Sequence, residues 1–295
     1  MSYLMHIGFD NSSRLCCNIY YFEYKKIRFK LIQNDYRKWS DVLLTIIDDH
    51  NNKKAKNNAY IAASEFLSAL SWHNNSKIKM RYLGGNQVAK KRNLREARCV
   101  CFVHRTPFFY SIGYDICEIP KIETNEQKIA LSLFREALSS NNEYLTFLFL
   151  YQIIETGGNN PIDWIDNTLS TQRNKVPILD DDIKHLPLQG RSVGKYLKDD
   201  CRDAIAHIKR YTGKVEIKLD SIEDYIRIGR GLHLMEKLAK FYIKNELKLN
   251  KYLYLVRKNG NGFPVFVDEE DMKQYPYKIA YKVKSVKPIH RRKWY

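Results

Sequence analysis

The rhythm of hydrophobic and polar positions changes twice along this chain. Through residues 1–120 short alternating segments mix with amphipathic ones, a mixed α/β pattern. Residues 18–23 and 26–32 predict the strands of a hairpin around Tyr24-Lys25, and 41–48 a short helix. Residues 54–70 predict a clearer helix, with Ala59, Ala62, Ala63, Phe66 and Leu70 on one face. Residues 77–83 alternate as a strand that stops at Gly84-Gly85. The basic stretch 87–95 reads as a surface loop, and 99–103 and 108–117 read as strands.

Near Lys121 the pattern turns helical. Residues 125–138 place Ile129, Leu133, Phe134 and Ala137 on one side, and Ser139-Ser140-Asn141-Asn142 breaks the run. A strongly apolar helix over Glu143–Glu155 follows, closed by Gly157-Gly158. Pro161 opens a short helix, and 171–190 read as loop. Residues 192–211 and 221–247 predict two further helices, the second begun by Ser221 three positions before Asp224, close to a capping box. Past Lys251 alternation returns at 252–256, 265–267 and 278–286, with Asn259-Gly260-Asn261-Gly262 as a hairpin turn. The expected class is α+β in three parts. These are a mixed α/β sensing or substrate-selecting domain (1–120), an all-α helical domain (121–248) and a small basic β appendage (249–295).

Composition narrows the function classes. Hydrophobic residues make up 44% of the 295, enough for a packed core, and no apolar run is long enough to span a membrane. Residues 1–10 lack the segments of a signal peptide, so a cytoplasmic protein is expected. The six cysteines form no Cys-x-x-Cys pair and no zinc spacing, and read as buried free thiols. No metal and no cofactor is expected. A net charge of +17 favours a polyanionic partner, nucleic acid first. The basic clusters Lys25-Lys26-Ile27-Arg28, Lys90-Lys91-Arg92 and Arg291-Arg292-Lys293 lie among tyrosines, a mixture suited to phosphate contact with base stacking or to a solvated face.

The candidate chemistry is the run Arg202-Asp203-Ala204-Ile205-Ala206-His207. Histidine moves protons near neutral pH, and arginine holds phosphate oxygens through paired hydrogen bonds. Arg98–His104 and Arg227–His233 share the loose spacing, but only Arg202 is followed at once by a short polar residue. Asp203 and His207 lie four apart and share a helix face. Arg202 lies five before His207, about 140° round an ideal helix, so the two converge only on an irregular helix or across a dimer. The plain alternative pairs Arg202 with an acid such as Asp199 and leaves His207 capping an interhelix contact.

At these residues the chain resembles the HEPN superfamily of helical nucleases and nucleotide-binding proteins. Phe134-Arg135-Glu136-Ala137, Tyr144–Glu155 and Asp203-Ala204-Ile205-Ala206-His207 are similar to bacterial MauJ-like and ApeA-related proteins. The resemblance covers about residues 125–247. It implies metal-independent endoribonuclease activity, with His207 as general acid or base, Arg202 stabilising charge on phosphorus and Asp203 orienting one of them. It also implies a homodimer whose groove brings two Arg–His pairs together, and a defence or toxin-like role. Lys195, Lys209, Arg210 and Tyr211 are the accompanying candidates for RNA contact. In some branches a tyrosine stands two residues after the histidine as part of a modified toxin motif; Lys209 stands there in this chain, so that regulation is not carried over. A non-catalytic RNA- or nucleotide-binding module is the alternative.

Overall fold

The computed structural model of the protein describes residues 2–15, 18–34, 40–49, 51–88, 93–97, 111–114, 116–176, 180–206, 221–258, 263–274 and 277–279. In chain order the elements are β1 (Ser2–Asn11), β2 (Ser13–Leu15), β3 (Ile19–Tyr24), β4 (Ile27–Ile32), β5 (Asp41–Ile47), α1 (Lys53–Asn74), β6 (Ile78–Val88), β7 (Ser111–Tyr114) and β8 (Glu118–Pro120). Then come α2 (Asn125–Ser139), α3 (Glu143–Glu155), α4 (Pro161–Thr171), α5 (Asp180–Lys184), α6 (Val193–Tyr196), a π-helical turn (Leu197–Arg202), α7 (Asp203–Ala206) and α8 (Ile222–Asn245). The chain closes with β9 (Tyr252–Lys258), β10 (Val265–Asp268), α9 (Glu269–Gln274) and β11 (Tyr277–Ile279). The fold is α+β. It divides into two compact units, Met1–Ala63 with Met80–Ile119 and Tyr252–Tyr295, and Ser64–Lys79 with Pro120–Lys251.

The first unit is built on a mixed sheet of order β11-β9-β10-β3-β4-β5-β1-β6, with β8 on β9. The C-terminal β segment extends this sheet. Val265 of β10 pairs in parallel with Glu23 of β3, and Glu23 N donates to Pro264 O at 2.7 Å. Residues 41–48, expected as a helix, are instead the strand β5. Its run Val42-Leu43-Leu44-Thr45-Ile46-Ile47 is antiparallel to β1 on one side and to β4 on the other. A strand buried on both faces loses the alternation that identifies strands, and a continuous apolar run then reads like a short helix. β6 likewise runs past Gly84-Gly85, where a stop was expected. A Cβ on Gly85 would sit 2.5 Å from Leu4 O and closer still to the Tyr3 ring, so this glycine lets β1 and β6 approach rather than ending the strand.

The β3–β4 connection is a two-residue turn at Lys25-Lys26, one position beyond the expected place. Both lysines have positive φ, +50° and +62°, the geometry that favours Asn-Gly. Lys30 of β4 donates from Nζ to the carbonyls of Arg95 (2.9 Å) and Ala97 (2.7 Å), which fixes the segment 93–97 over the sheet.

The helical unit follows its capping residues closely. Thr124 and Gln127 form a capping box on α2, Asn142 caps α3, Asn160 caps α4 ahead of Pro161, and Ser221 caps α8. The facing stripes bury Phe134, Phe147, Tyr151, Ile154, Met235 and Tyr242 in one core. The stretch 171–190, expected as loop, contains the short helix α5, because Asp182 is held to α8 by Lys237 (2.6 Å) and His233 (3.4 Å). The main segment of this unit also closes on itself, with Lys121 N donating to Lys251 O at 2.8 Å.

Gly194 marks the tightest approach of α6 to α4. A Cβ there would lie 2.5 Å from Ile162 O and 3.0 Å from Asp166 Oδ2, while its own N–H donates to Asp166 Oδ1 at 2.8 Å. Gly194→Ala is expected to destabilise the protein by about 1–3 kcal/mol, read as a lower urea midpoint at unchanged m-value. A change under about 0.5 kcal/mol, the size of an ordinary surface substitution, would refute this close approach.

Candidate active site

Arg202 is positioned by a helix that is irregular just before it. Ser192 Oγ accepts from Lys195 N at 3.3 Å and starts α6. Tyr196, Leu197 and Cys201 turn inward and are fully buried. Over Leu197–Arg202 the backbone opens into a π turn, and Asp203 N donates to Lys198 O five residues back. Such turns take up one residue more than an α turn and concentrate at functional sites. The turn ends at Arg202, so it changes where Arg202 points relative to Lys195 and Asp199. The interval towards His207 starts in the ordinary helical turn α7.

Asp200 is nearly sealed from water and is matched by Arg191, whose Nη1 and Nη2 donate to its two carboxylate oxygens at 2.6 Å each. The Asp200 carboxylate in turn raises the Arg191 pKa further. Cys201 faces α8, where a Cβ on Gly231 would lie 3.3 Å from its sulfur. Arg202 points to the C-terminal end of α3. Its Nη2 lies 3.2 Å from Glu155 Oε1, and its Nη1 donates to Asp203 Oδ1 at 3.0 Å. The Arg202 side chain is 28% exposed and that of Asp203 8%. A guanidinium carries five N–H donors, so these two contacts leave others for a further acceptor.

Tyr151, one turn before Glu155 on α3, is fully buried, and its hydroxyl has no hydrogen-bond partner among the described residues. Its pKa is raised, first by burial and next by the Glu155 charge; Arg202 pulls the other way, and Asp203 and Asp199 add to the rise. One field therefore joins Tyr151, Glu155, Arg202 and Asp203.

The structure brings Arg202 and Asp203 together, with Asp203 holding the arginine. The acid anticipated as its partner was one such as Asp199, and the observed partners are Asp203 and Glu155. Lys195 is exposed on the first turn of α6. His207, Lys209, Arg210 and Tyr211 lie outside the described residues. Of the other two Arg–His pairs, Arg98–His104 also lies outside them. Arg227 and His233 have separate partners, Asp224 at 2.8 Å and Asp182 at 3.4 Å. Sequence reasoning gave no role to Glu155 or Tyr151. The available signal was a single acid ending an otherwise apolar helix. Among the described residues, no cluster of three or more His, Cys, Asp or Glu could hold a metal ion.

Residues 130–244 match the family model described as methylamine utilization protein MauJ. The match is less than half of the chain but takes in α3, the π turn and nearly all of α8, so the helical region is MauJ-like. No curated protein and no solved structure matches the chain. No helix among the described residues is long and apolar enough to cross a membrane.

Burial pushes the Cys201 thiol up to about 12 from an ordinary value of 9.0, against the opposing hydrogen bond from Tyr196 and the Arg227 charge. The folded state thus favours the neutral thiol. That contribution to stability is complete below pH 9 and is lost as pH rises from there towards 12. Peptide mapping after iodoacetamide treatment at pH 8 is expected to find Cys201 unlabelled in the native protein and labelled in urea. Comparable labelling in both would contradict the buried, neutral thiol.

Proposed function

We propose that the helical unit is a metal-independent endoribonuclease of HEPN type, a cytoplasmic defence or toxin-like effector that acts on RNA as a homodimer. The observation that carries the reading is the half-open Arg202 guanidinium, held in place by Glu155 and Asp203 beside a π turn. The MauJ-like match over this region and the net charge of +17 support it.

In this reading a phosphodiester oxygen approaches the free N–H donors of Arg202. His207 removes the proton of the ribose 2′-hydroxyl, and the oxygen attacks phosphorus. Arg202 stabilises the added negative charge. The bond to the 5′ oxygen breaks, and that oxygen takes up a proton from a histidine, His207 of the second copy. The products are a 2′,3′-cyclic phosphate and a 5′-hydroxyl. Asp203 and Glu155 act through Arg202 by fixing its orientation. Lys195, Lys209, Arg210 and Tyr211 are the candidates for contact with the RNA backbone.

A second reading is a non-catalytic RNA- or nucleotide-binding module. It is favoured by one observation: two carboxylates already neutralise Arg202, which suits holding an anion loosely better than stabilising a charged transition state.

Total RNA incubated with the protein in EDTA separates the two. Wild type is expected to cut, leaving cyclic phosphate ends, and Arg202→Ala and His207→Ala to lose on the order of 100-fold or more in rate. No cleavage by wild type in EDTA, or equal cleavage by both variants, sinks the nuclease reading. Binding without cleavage that weakens steeply with salt supports the second.

A further inference from the structure

The β3–β4 turn carries a strain that the fold itself does not need. Positive φ at both turn positions costs a lysine roughly 1 kcal/mol more than a glycine, yet Lys25 and Lys26 occupy them. Among the described residues Lys26 has no ion-pair partner, and its side chain lines a groove of about 750 Å³ within the sheet unit. That volume lies in the range of small-ligand sites, about 300–1,000 Å³.

The groove is assembled by the sheet register and by one clamp. Lys26 closes the turn, and Arg28 and Lys30 follow at alternate positions of β4 and share a face. Lys30 is used to pin the segment 93–97, which sets Asn93 and Leu94 as a wall. Arg28 lies over the Phe263 ring at 5.3 Å from its centroid and 3.3 Å from Glu23. It is 66% exposed, so the Glu23 pair is weak and the guanidinium can take a stronger anion. Asp48, directly after β5, lines the same groove as Lys26. Buried Ile47, Ala59 and Leu94 supply an apolar floor, and Asn58 of α1 adds an amide.

We propose that this groove binds a nucleotide. Lys26 and Arg28 take the phosphate. The floor and Phe263 take one face of the base, and the amides of Asn58 and Asn93 offer both donors and acceptors to its edge. Asp48 accepts from the sugar hydroxyls. A bare phosphate leaves the floor empty, and an uncharged apolar ligand leaves Lys26 unmatched. The site belongs to the sheet unit and does not depend on the ribonuclease reading.

Calorimetric titration of the full chain with AMP, GMP, CMP, UMP, the four nucleosides and inorganic phosphate tests it. At least one monophosphate is expected to bind, with its nucleoside at least about 10-fold weaker and phosphate alone not detected. Lys26→Gly suits the positive φ, so it is expected to keep or raise the melting temperature while weakening binding about 10-fold. Asn58→Trp, at an exposed helix position, is expected to block the groove. Arg202→Ala is expected to bind normally, which separates this site from the candidate nuclease centre. The proposal is overturned if no monophosphate binds at millimolar concentration, if phosphate alone binds equally well, or if binding survives both Lys26→Gly and Asn58→Trp.

Discussion

An acid sealed from water has to be met by a cation, because an unpaired carboxylate in the interior is too costly to persist. In the helical unit that rule is met at Asp200 by Arg191, at Asp203 by Arg202, at Asp182 by Lys237 and at Glu65 by Lys128, each between 2.6 and 3.0 Å. Asp10 and Arg81 repeat it in the sheet unit at 2.6 Å. With 50 basic and 33 acidic residues, acids are the scarcer partner, and the surplus of positive charge stays with groups that have no buried acid to serve. The short helix α5 is held by such a pair as well as by Ile183, which packs against the helical core.

Arg202 belongs to that set and is also the leading candidate for chemistry. Within a strongly basic chain its surroundings are locally acidic, with Glu155, Asp199, Asp200 and Asp203 all on or beside the π turn. Attraction of a polyanion over distances beyond the screening length of about 8–10 Å would then come from the wider surface, and Arg202 would act only at contact. Orientation, rather than net positive potential, is what this arrangement provides. A guanidinium fixed by two carboxylates presents its remaining N–H groups in a set direction.

Much of the fold was legible. Ser221 and Pro161 announced the starts of two helices, since such signals are local and act within one turn, and apolar periodicity announced two more; the caps Thr124, Asn142 and Asn160 emerge only with the structure. The hairpin of β3 and β4 was visible from alternation, displaced by one residue because lysines at a turn that prefers Asn-Gly give no signal. β5 was misread because burial on both faces removes the period of two. Gly85 was taken as a stop when its role is to admit Leu4 and Tyr3. At the site, Arg202 and Asp203 could be singled out from neighbouring positions. Glu155 could not, because its link to Arg202 exists only once α3 packs against the motif helix, and the π turn follows from the same packing.

The closed path between Lys121 and Lys251 has a consequence for how such a protein is assembled in evolution and at synthesis. The segment 121–251, which contains the MauJ-like residues 130–244, follows β8 and precedes β9 in the chain, with its ends joined by one hydrogen bond. An excursion that begins and ends at one point can be lengthened, exchanged or inherited as a block while the strands on either side keep their register. It also sets an order: β9, β10 and β11 emerge only after the whole helical block has been made, so the sheet waits for its last strands until then.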